Sequence, residues 1–161
     1  MTSPSARLAE LGLTLPGVAA PLAAYVPAVR VGDLVHTSGQ LPSVEGKLTA
    51  IGKVGDAVSP ETAAECAGLA ALNALAAVAD EVGSLDTIRR VVRVVVYVAS
   101  APDFTGQAQV ANGASQLLGD VFGGAGKHAR SAVGVAVLPL DSPVEVELVV
   151  EVAAQPTIRP L

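Results

Sequence analysis

The apolar residues of this chain are almost all small, and this constrains its fold more than any other feature of the sequence. Hydrophobic residues make up 51% of the 161 residues, yet only two Phe, two Tyr and no Trp are among them. A core built from Ala, Val and Leu is densely packed only if helices and sheet approach each other closely. The length suits a single domain spanning residues 1–161.

Apolar spacing predicts two long helices and five strands. The clearest helix opens at Ser59-Pro60, repeats apolar residues every three or four positions, and stops at Gly83. A second helix is predicted over residues 102–122, and a short one runs from Ser3 to about Leu11. The predicted strands cover residues 25–30, 34–40, 88–98, 131–138 and 144–152. The last strand alternates strictly, with aliphatic residues on one face and Glu145 and Glu147 on the other.

The predicted order is β-β-α-β-α-β-β behind a short extra N-terminal helix. This order favours an α+β fold in which two helices cover one face of a mixed sheet. The opposite face, which carries Glu145 and Glu147, is expected to meet either water or another subunit.

Charge and hydropathy argue against nucleic-acid and membrane partners. The net charge is −5, whereas nucleic-acid binding usually needs a basic face with stacking aromatic residues. Strict alternation would place Arg89 and Arg93 on one face of a strand and Arg90 on the other. No apolar stretch approaches the roughly 20 residues that span a bilayer, and no signal peptide is predicted. The single cysteine, Cys66, excludes an internal disulfide and favours a cytoplasmic location.

Several common catalytic devices are absent from the sequence. Ser38 is not part of a Gly-x-Ser-x-Gly elbow, and neither a Walker phosphate loop nor a dinucleotide fingerprint is present. His36, His128 and Cys66 are too far apart in sequence to suggest a zinc site. We therefore expect no cofactor and no metal, with both histidines solvated or hydrogen-bonded and Cys66 in the core.

Two segments carry a family resemblance. The first is TSGQLP at residues 37–42; the second is ARSAVGVAVLP at 129–139, followed by PVEVE at 143–147. In this order they resemble the RidA (YjgF-type) enamine/imine deaminase family, over about residues 24–153. The predicted element order matches that family's chorismate-mutase-like fold. Ala132 and Gly134 depart from the family's usual Cys and acidic residue, and the N-terminal helix suggests a longer-bodied branch.

The resemblance implies an activity and a set of site residues. Active members hydrolyse reactive enamines and imines to a keto acid and ammonia, as homotrimers without a cofactor, in clefts between subunits. Transferred position by position, the resemblance implies that Arg130 clamps the substrate and that Glu145 orients the attacking water. It also implies two catalytic hydroxyl groups, those of Tyr25 and Ser38, and two further substrate-binding residues, Asn112 and Gly39.

The implied chemistry suits these residue types. A guanidinium group grips a planar carboxylate through two parallel N–H bonds and stays charged at any working pH. A carboxylate such as Glu145 can accept the proton of an attacking water. Each residue also has a simpler interpretation, with Arg130 as a surface cation, Glu145 as a solvated acid and Ser38 as a strand end.

Two other functions stay open. The same cleft could hold a small carboxylate metabolite without catalysis, as a binding or regulatory module. An endoribonuclease activity has been attached to parts of the family, but the acidic charge and scarce aromatic residues of this chain argue against it.

Overall fold

The computed structural model describes residues 2–18 and 24–154. Its helices are α1 (Pro4–Glu10), α2 (Pro60–Val82) and α3 (Gln107–Phe122). The strands are β1 (Ala28–Val31), β2 (Leu34–Thr37), β3 (Ser43–Val44), β4 (Lys47–Leu48), β5 (Ile88–Ala99), β6 (Ala129–Val135) and β7 (Val144–Val152).

Five strands form one mixed sheet in the order β1-β2-β7-β5-β6. Only β5 and β6 are parallel, because α3 crosses over between them, and the other neighbours are antiparallel. The predicted α+β class and chorismate-mutase-like element order are confirmed. The short β3–β4 hairpin lies between the predicted strand over residues 34–40 and the predicted helix that opens at Ser59-Pro60.

Helix α2 is the central helix of the core. The Ser59 side chain accepts a hydrogen bond from the Thr62 amide, Pro60 occupies the first turn, and Gly83 ends the helix at a φ of 85°. By length and composition alone α2 could cross a membrane, with a mean hydropathy of 1.5. The expectation that no apolar stretch reaches that length was therefore wrong. However, 67% of that segment is buried within the fold, so its apolar character is explained by core packing.

Four elements differ from the sequence prediction by two or more residues at one end or both. Helix α3 begins at Gln107 instead of residue 102, because the Gln107 side chain donates to the Phe104 carbonyl at 2.8 Å and stabilises a turn before the helix. Strand β1 begins at Ala28, which leaves Tyr25 in the segment before it. Strand β2 ends at Thr37, and β6 spans Ala129–Val135 rather than 131–138, so Arg130 lies within a strand.

The two faces of the sheet differ sharply. Alternate residues of β7, from Val144 to Val152, are buried under the helices, as predicted. The other face, called the open face below, carries Glu145 and Glu147. Register shifts in β5 also bring Arg90 opposite Glu151 and Arg93 opposite Val149, so both arginines lie on the open face. Strict alternation mispredicted Arg90 because β-bulges reverse the side to which later residues point.

Helices α2 and α3 come into backbone contact where they cross. A Cβ atom added at Gly113 of α3 would collide with the carbonyl oxygen of Ala64 in α2. At the same crossing, a Cβ at Gly68 would lie 3.3 Å from the Gly113 carbonyl oxygen. A glycine inside a helix costs about 1 kcal/mol relative to alanine, and here it permits the close packing that small core residues require.

We predict that Gly113→Ala destabilises the protein by about 1–3 kcal/mol, because the added methyl group overpacks a rigid backbone contact. Gly119→Ala is the matched control in the same helix, since nothing lies within 4 Å of its Cβ position. That control should gain about 0.5–1 kcal/mol from helix propensity. Chemical denaturation of both variants checks the prediction, and a stabilised Gly113→Ala protein would contradict it.

Candidate functional site

Arg130 is held at the edge of the sheet by two side chains of α3. Its Nη1 atom donates to Asn112 Oδ1 at 2.8 Å and to Ser115 Oγ at 3.1 Å. Asn112 and Ser115 are three residues apart, so they share one face of the helix. The structure therefore brings Arg130 together with Asn112, two residues that the sequence placed in one site.

Two further hydrogen bonds connect Ser115 to His128, and His128 to the backbone of Gly126. The Oγ atom of Ser115 lies 2.9 Å from His128 Nε2, and His128 Nδ1 lies 2.6 Å from the Gly126 carbonyl oxygen. His128 and Ser115 are half-buried, whereas Arg130 is exposed. We call Arg130, Asn112, Ser115 and His128 the arginine group.

Glu145, the second main residue of the candidate site, lies on the open face. It is paired across the strands with Tyr97, whose hydroxyl group lies 3.5 Å from Glu147 Oε1. Burial, and secondarily the negative charge of Glu147, raise the pKa of Glu145 above its ordinary value. A raised pKa brings a carboxyl group closer to the range in which it can exchange protons near neutral pH.

Gly39 makes room for the Glu145 carboxylate. A Cβ atom at residue 39 would collide with Glu145 Oε1, so only glycine allows the carboxylate to lie over this backbone. The segment is anchored because Gln40 and Val146 exchange two backbone hydrogen bonds, at 2.8 and 2.9 Å. Gly39 and Glu145, which the sequence placed in one site, are adjacent in the structure.

Ser38 lies at the beginning of the same segment, and Tyr25 lies in the segment before β1. The Ser38 hydroxyl donates to the Val26 carbonyl at 2.6 Å, and its amide donates to the Pro27 carbonyl at 2.8 Å. These bonds hold the segment that follows Tyr25 against the end of β2. Tyr25 itself is 55% exposed. We call Ser38, Gly39 and Glu145 the glutamate group.

The two groups lie on opposite faces of the sheet within one chain. Arg130 is paired with Val94, which is in turn paired with the buried Leu148, so its side chain starts on the helix-covered face. Glu145 points to the open face. Two strand spacings and a three-residue offset place their Cα atoms roughly 14 Å apart. A single chain therefore does not bring its predicted clamp and its predicted base together.

Sequence reasoning missed the part played by Ser115 and His128. The sequence analysis assigned no role to Ser115 and interpreted His128 as solvated or hydrogen-bonded; the structure shows the hydrogen-bonded alternative. The i,i+3 spacing of Asn112 and Ser115 could have indicated Ser115. The contact with His128 could not have been predicted, because it depends on the turn at residues 123–126.

Packing explains two further residues that the sequence analysis named, Cys66 and Gly134. Cys66 is buried in the core, as expected, and burial raises the pKa of its thiol. At Gly134 a Cβ atom would lie 2.8 Å from Gln107 Nε2, so the Gln107 amide fills the space that a side chain would take. Within residues 2–18 and 24–154, no three His, Cys, Asp or Glu side chains are grouped as metal ligands.

The fold and these two residue groups define a chorismate-mutase-like α+β protein with polar side chains at one sheet edge and on the open face. A family model described as "YjgF/chorismate_mutase-like, putative endoribonuclease" matches residues 5–152. The chain therefore belongs to the YjgF (RidA) family, as the two sequence segments indicated.

Individual relatives support the same assignment. Protein TCP17 of Trypanosoma cruzi is 44% identical over 150 residues, which are 91% of this chain and 92% of that protein. The crystal structure of Atu1372 from Agrobacterium tumefaciens, a protein of unknown function, is 45% identical, with a TM-score of 0.86 and 92% of each chain covered. The E. coli protein TdcF, solved with bound serine, is 25% identical, with a TM-score of 0.58, covering 84% of this chain and 91% of that one.

The raised pKa of Glu145 predicts a stability change that depends on pH. A raised pKa means that the folded state favours the protonated carboxyl, so this stabilisation is complete below the ordinary value of 4.5 and is lost as the pH rises through the raised value. Glu145→Gln should therefore be more stable than the parent at pH 7 and equal to it near pH 4. Denaturation midpoints at both pH values measure this, and a variant less stable at pH 7 would contradict it.

Proposed function

We propose that the protein hydrolyses enamine/imine derivatives of α-amino acids to a keto acid and ammonia, in a cleft between two copies of the chain. The observation that carries this proposal is the division of the site. Arg130 and Glu145 lie on opposite faces of one sheet, so a neighbouring copy can complete each group. The free Cys66 thiol is compatible with the cytoplasmic location that we also propose.

Arg130 is the proposed clamp for the substrate carboxylate. Its guanidinium is exposed while Asn112 and Ser115 hold one of its nitrogen atoms. A fixed fork loses little conformational entropy on binding and recognises a planar anion through two hydrogen bonds. The serine bound to TdcF carries an α-carboxylate beside an α-nitrogen, and an α-imino acid has the same arrangement. This supports a small carboxylate metabolite as the ligand here.

Glu145 is the proposed base. A water molecule held by its carboxylate attacks the carbon of the protonated imine, a C–O bond forms as the C=N π bond breaks, and the water's proton passes to Glu145. The resulting carbinolamine receives that proton on its NH2 nitrogen. The hydroxyl proton then returns to Glu145 as the C=O bond forms, the C–N bond breaks and ammonia leaves. The imine carbon is already electrophilic, so positioning the water accounts for most of the chemistry. Ser38 and Tyr25 are proposed to orient the water or the departing nitrogen.

The open face supports the proposed assembly. Four of its aliphatic side chains are exposed among the residues that the structure describes: Val29, Val31, Leu34 and Val133. Strand β6, which carries Arg130, is also the outermost strand on its side of the sheet. Uncovered apolar surface and an unpaired strand favour association, and we propose a homotrimer.

We predict that Glu145→Gln lowers imine hydrolysis by roughly 10²–10⁴-fold, because the amide keeps the size of the side chain but cannot accept the proton. The assay generates 2-aminoacrylate or 2-iminobutyrate in situ and follows its loss with and without protein. Glu151→Gln is the matched control, since Glu151 lies on the same face of the same strand but opposite Arg90, far from Gly39.

The same variants separate catalysis from binding alone. If the parent hydrolyses no imine above buffer but binds a keto acid, the protein is a carboxylate-binding module on the same fold. If Glu145→Gln and Glu151→Gln both hydrolyse imine at the parental rate, Glu145 is not the base.

Mixing two inactive variants tests the shared site directly. Arg130→Ala and Glu145→Gln should each be inactive, because each removes one half of every cleft. When they are coexpressed in equal amounts, about a quarter of the clefts in a closed ring receive both intact residues, and activity should return to about that fraction. If the mixture stays inactive although mixed oligomers form, or if light scattering shows a monomer, the inter-subunit site is wrong.

A further inference from the structure

The hydrogen bonds of the arginine group have a single direction. The Gly126 carbonyl oxygen can only accept, so His128 must donate to it from Nδ1. In a neutral imidazole, Nε2 then carries the lone pair and accepts from the Ser115 hydroxyl. The Ser115 oxygen, having used its proton, accepts from Arg130 Nη1. Each donor and acceptor in this series is therefore fixed by the one before it.

These bonds also determine which edge of Arg130 is available. The two protons of Nη1 are both used, one by Asn112 Oδ1 and the other by Ser115 Oγ. In the part of the chain that the structure describes, Nε and Nη2 have no protein acceptor. A carboxylate can therefore approach as a fork only along the edge formed by Nε and Nη2.

We infer that Ser115 and His128 are positioning residues that fix the orientation of the Arg130 guanidinium and so direct a planar carboxylate to its Nε–Nη2 edge. This inference rests on the proposed role of Arg130 as a carboxylate clamp. His128 acts through Ser115: it fixes the hydroxyl proton, which leaves the oxygen lone pair directed at Nη1. Neither residue needs to touch the reacting carbon.

Half-burial of Ser115 and His128 supports this role, since hydrogen bonds sheltered from water hold their geometry better than exposed ones. An exposed arginine without such support would lose conformational freedom only on binding its ligand, at a cost in affinity. Helix α3 supplies a rigid base because Gly113, between Asn112 and Ser115, is in backbone contact with α2.

The test begins with the unmodified protein. Nitrogen NMR of the His128 ring should show a proton on Nδ1 and none on Nε2, which is the less common tautomer of free histidine. The Arg130 guanidinium should give separate Nη signals, assigned by their loss in Arg130→Lys. A His128 ring protonated on Nε2 alone would overturn the inference without any variant.

Variants then test the effect on binding. Ser115→Ala should merge the Arg130 Nη signals and weaken pyruvate binding roughly tenfold, as expected for loss of a bond to a charged group. Ser115→Thr keeps the hydroxyl and should restore both. His128→Gln retains an acceptor for Ser115 and should lie closer to the parent than His128→Ala.

These readouts separate the inference from the proposed activity, because none of them measures turnover. If the parent hydrolyses no imine but shows the expected NMR pattern and the expected effects of the Ser115 variants, the enzymatic proposal fails and the positioning role stands. If Ser115→Ala leaves both the Nη signals and pyruvate affinity unchanged, Ser115 does not position Arg130, whatever the activity.

Discussion

The contact between Gly113 and the Ala64 carbonyl sets the separation of α2 and α3, and the position of the site residues depends on it. Because no side chain intervenes at this crossing, α3 lies close beside the alanine-rich α2. Asn112 and Ser115 flank the contact and so reach Arg130 on the edge strand. A thicker interface would lift both side chains away from the guanidinium. The close packing that small residues impose on the core therefore also orders the arginine group.

The sheet then separates the two halves of the candidate chemistry. An arginine on the covered side of an edge strand can be ordered by a helix and still reach solvent beyond the edge. A glutamate on the open face can be partly buried, and burial, followed by the negative charge of Glu147, shifts its pKa upward. Each environment suits its residue, because a clamp has to stay charged and a base has to exchange protons. Under the proposed function, the association of chains brings the two environments together.

Much of the fold could be predicted from the sequence, because its strongest patterns are local. The alternation in β7 and the capping residues of α2 predicted their elements well, since both depend on side chains that are neighbours in the sequence. The start of α3 was placed five residues early, because a Gln107 side chain bonded to the preceding turn leaves no trace in apolar periodicity. Arg90 was assigned to the wrong face because a bulge depends on the partner strand.

The residue types of the candidate site could be predicted from the sequence through its resemblance to a family, which assigned Arg130, Asn112, Gly39 and Glu145 to one site. The sequence by itself determined which side chains are available and, where a strand or helix is regular, on which face each one lies. Only the tertiary structure decided that Ser115 and His128 support the arginine, because that contact needs a helix, a turn and an edge strand to meet. It also decided that Arg130 and Glu145 point away from each other, since strand order and register are set by long-range pairing.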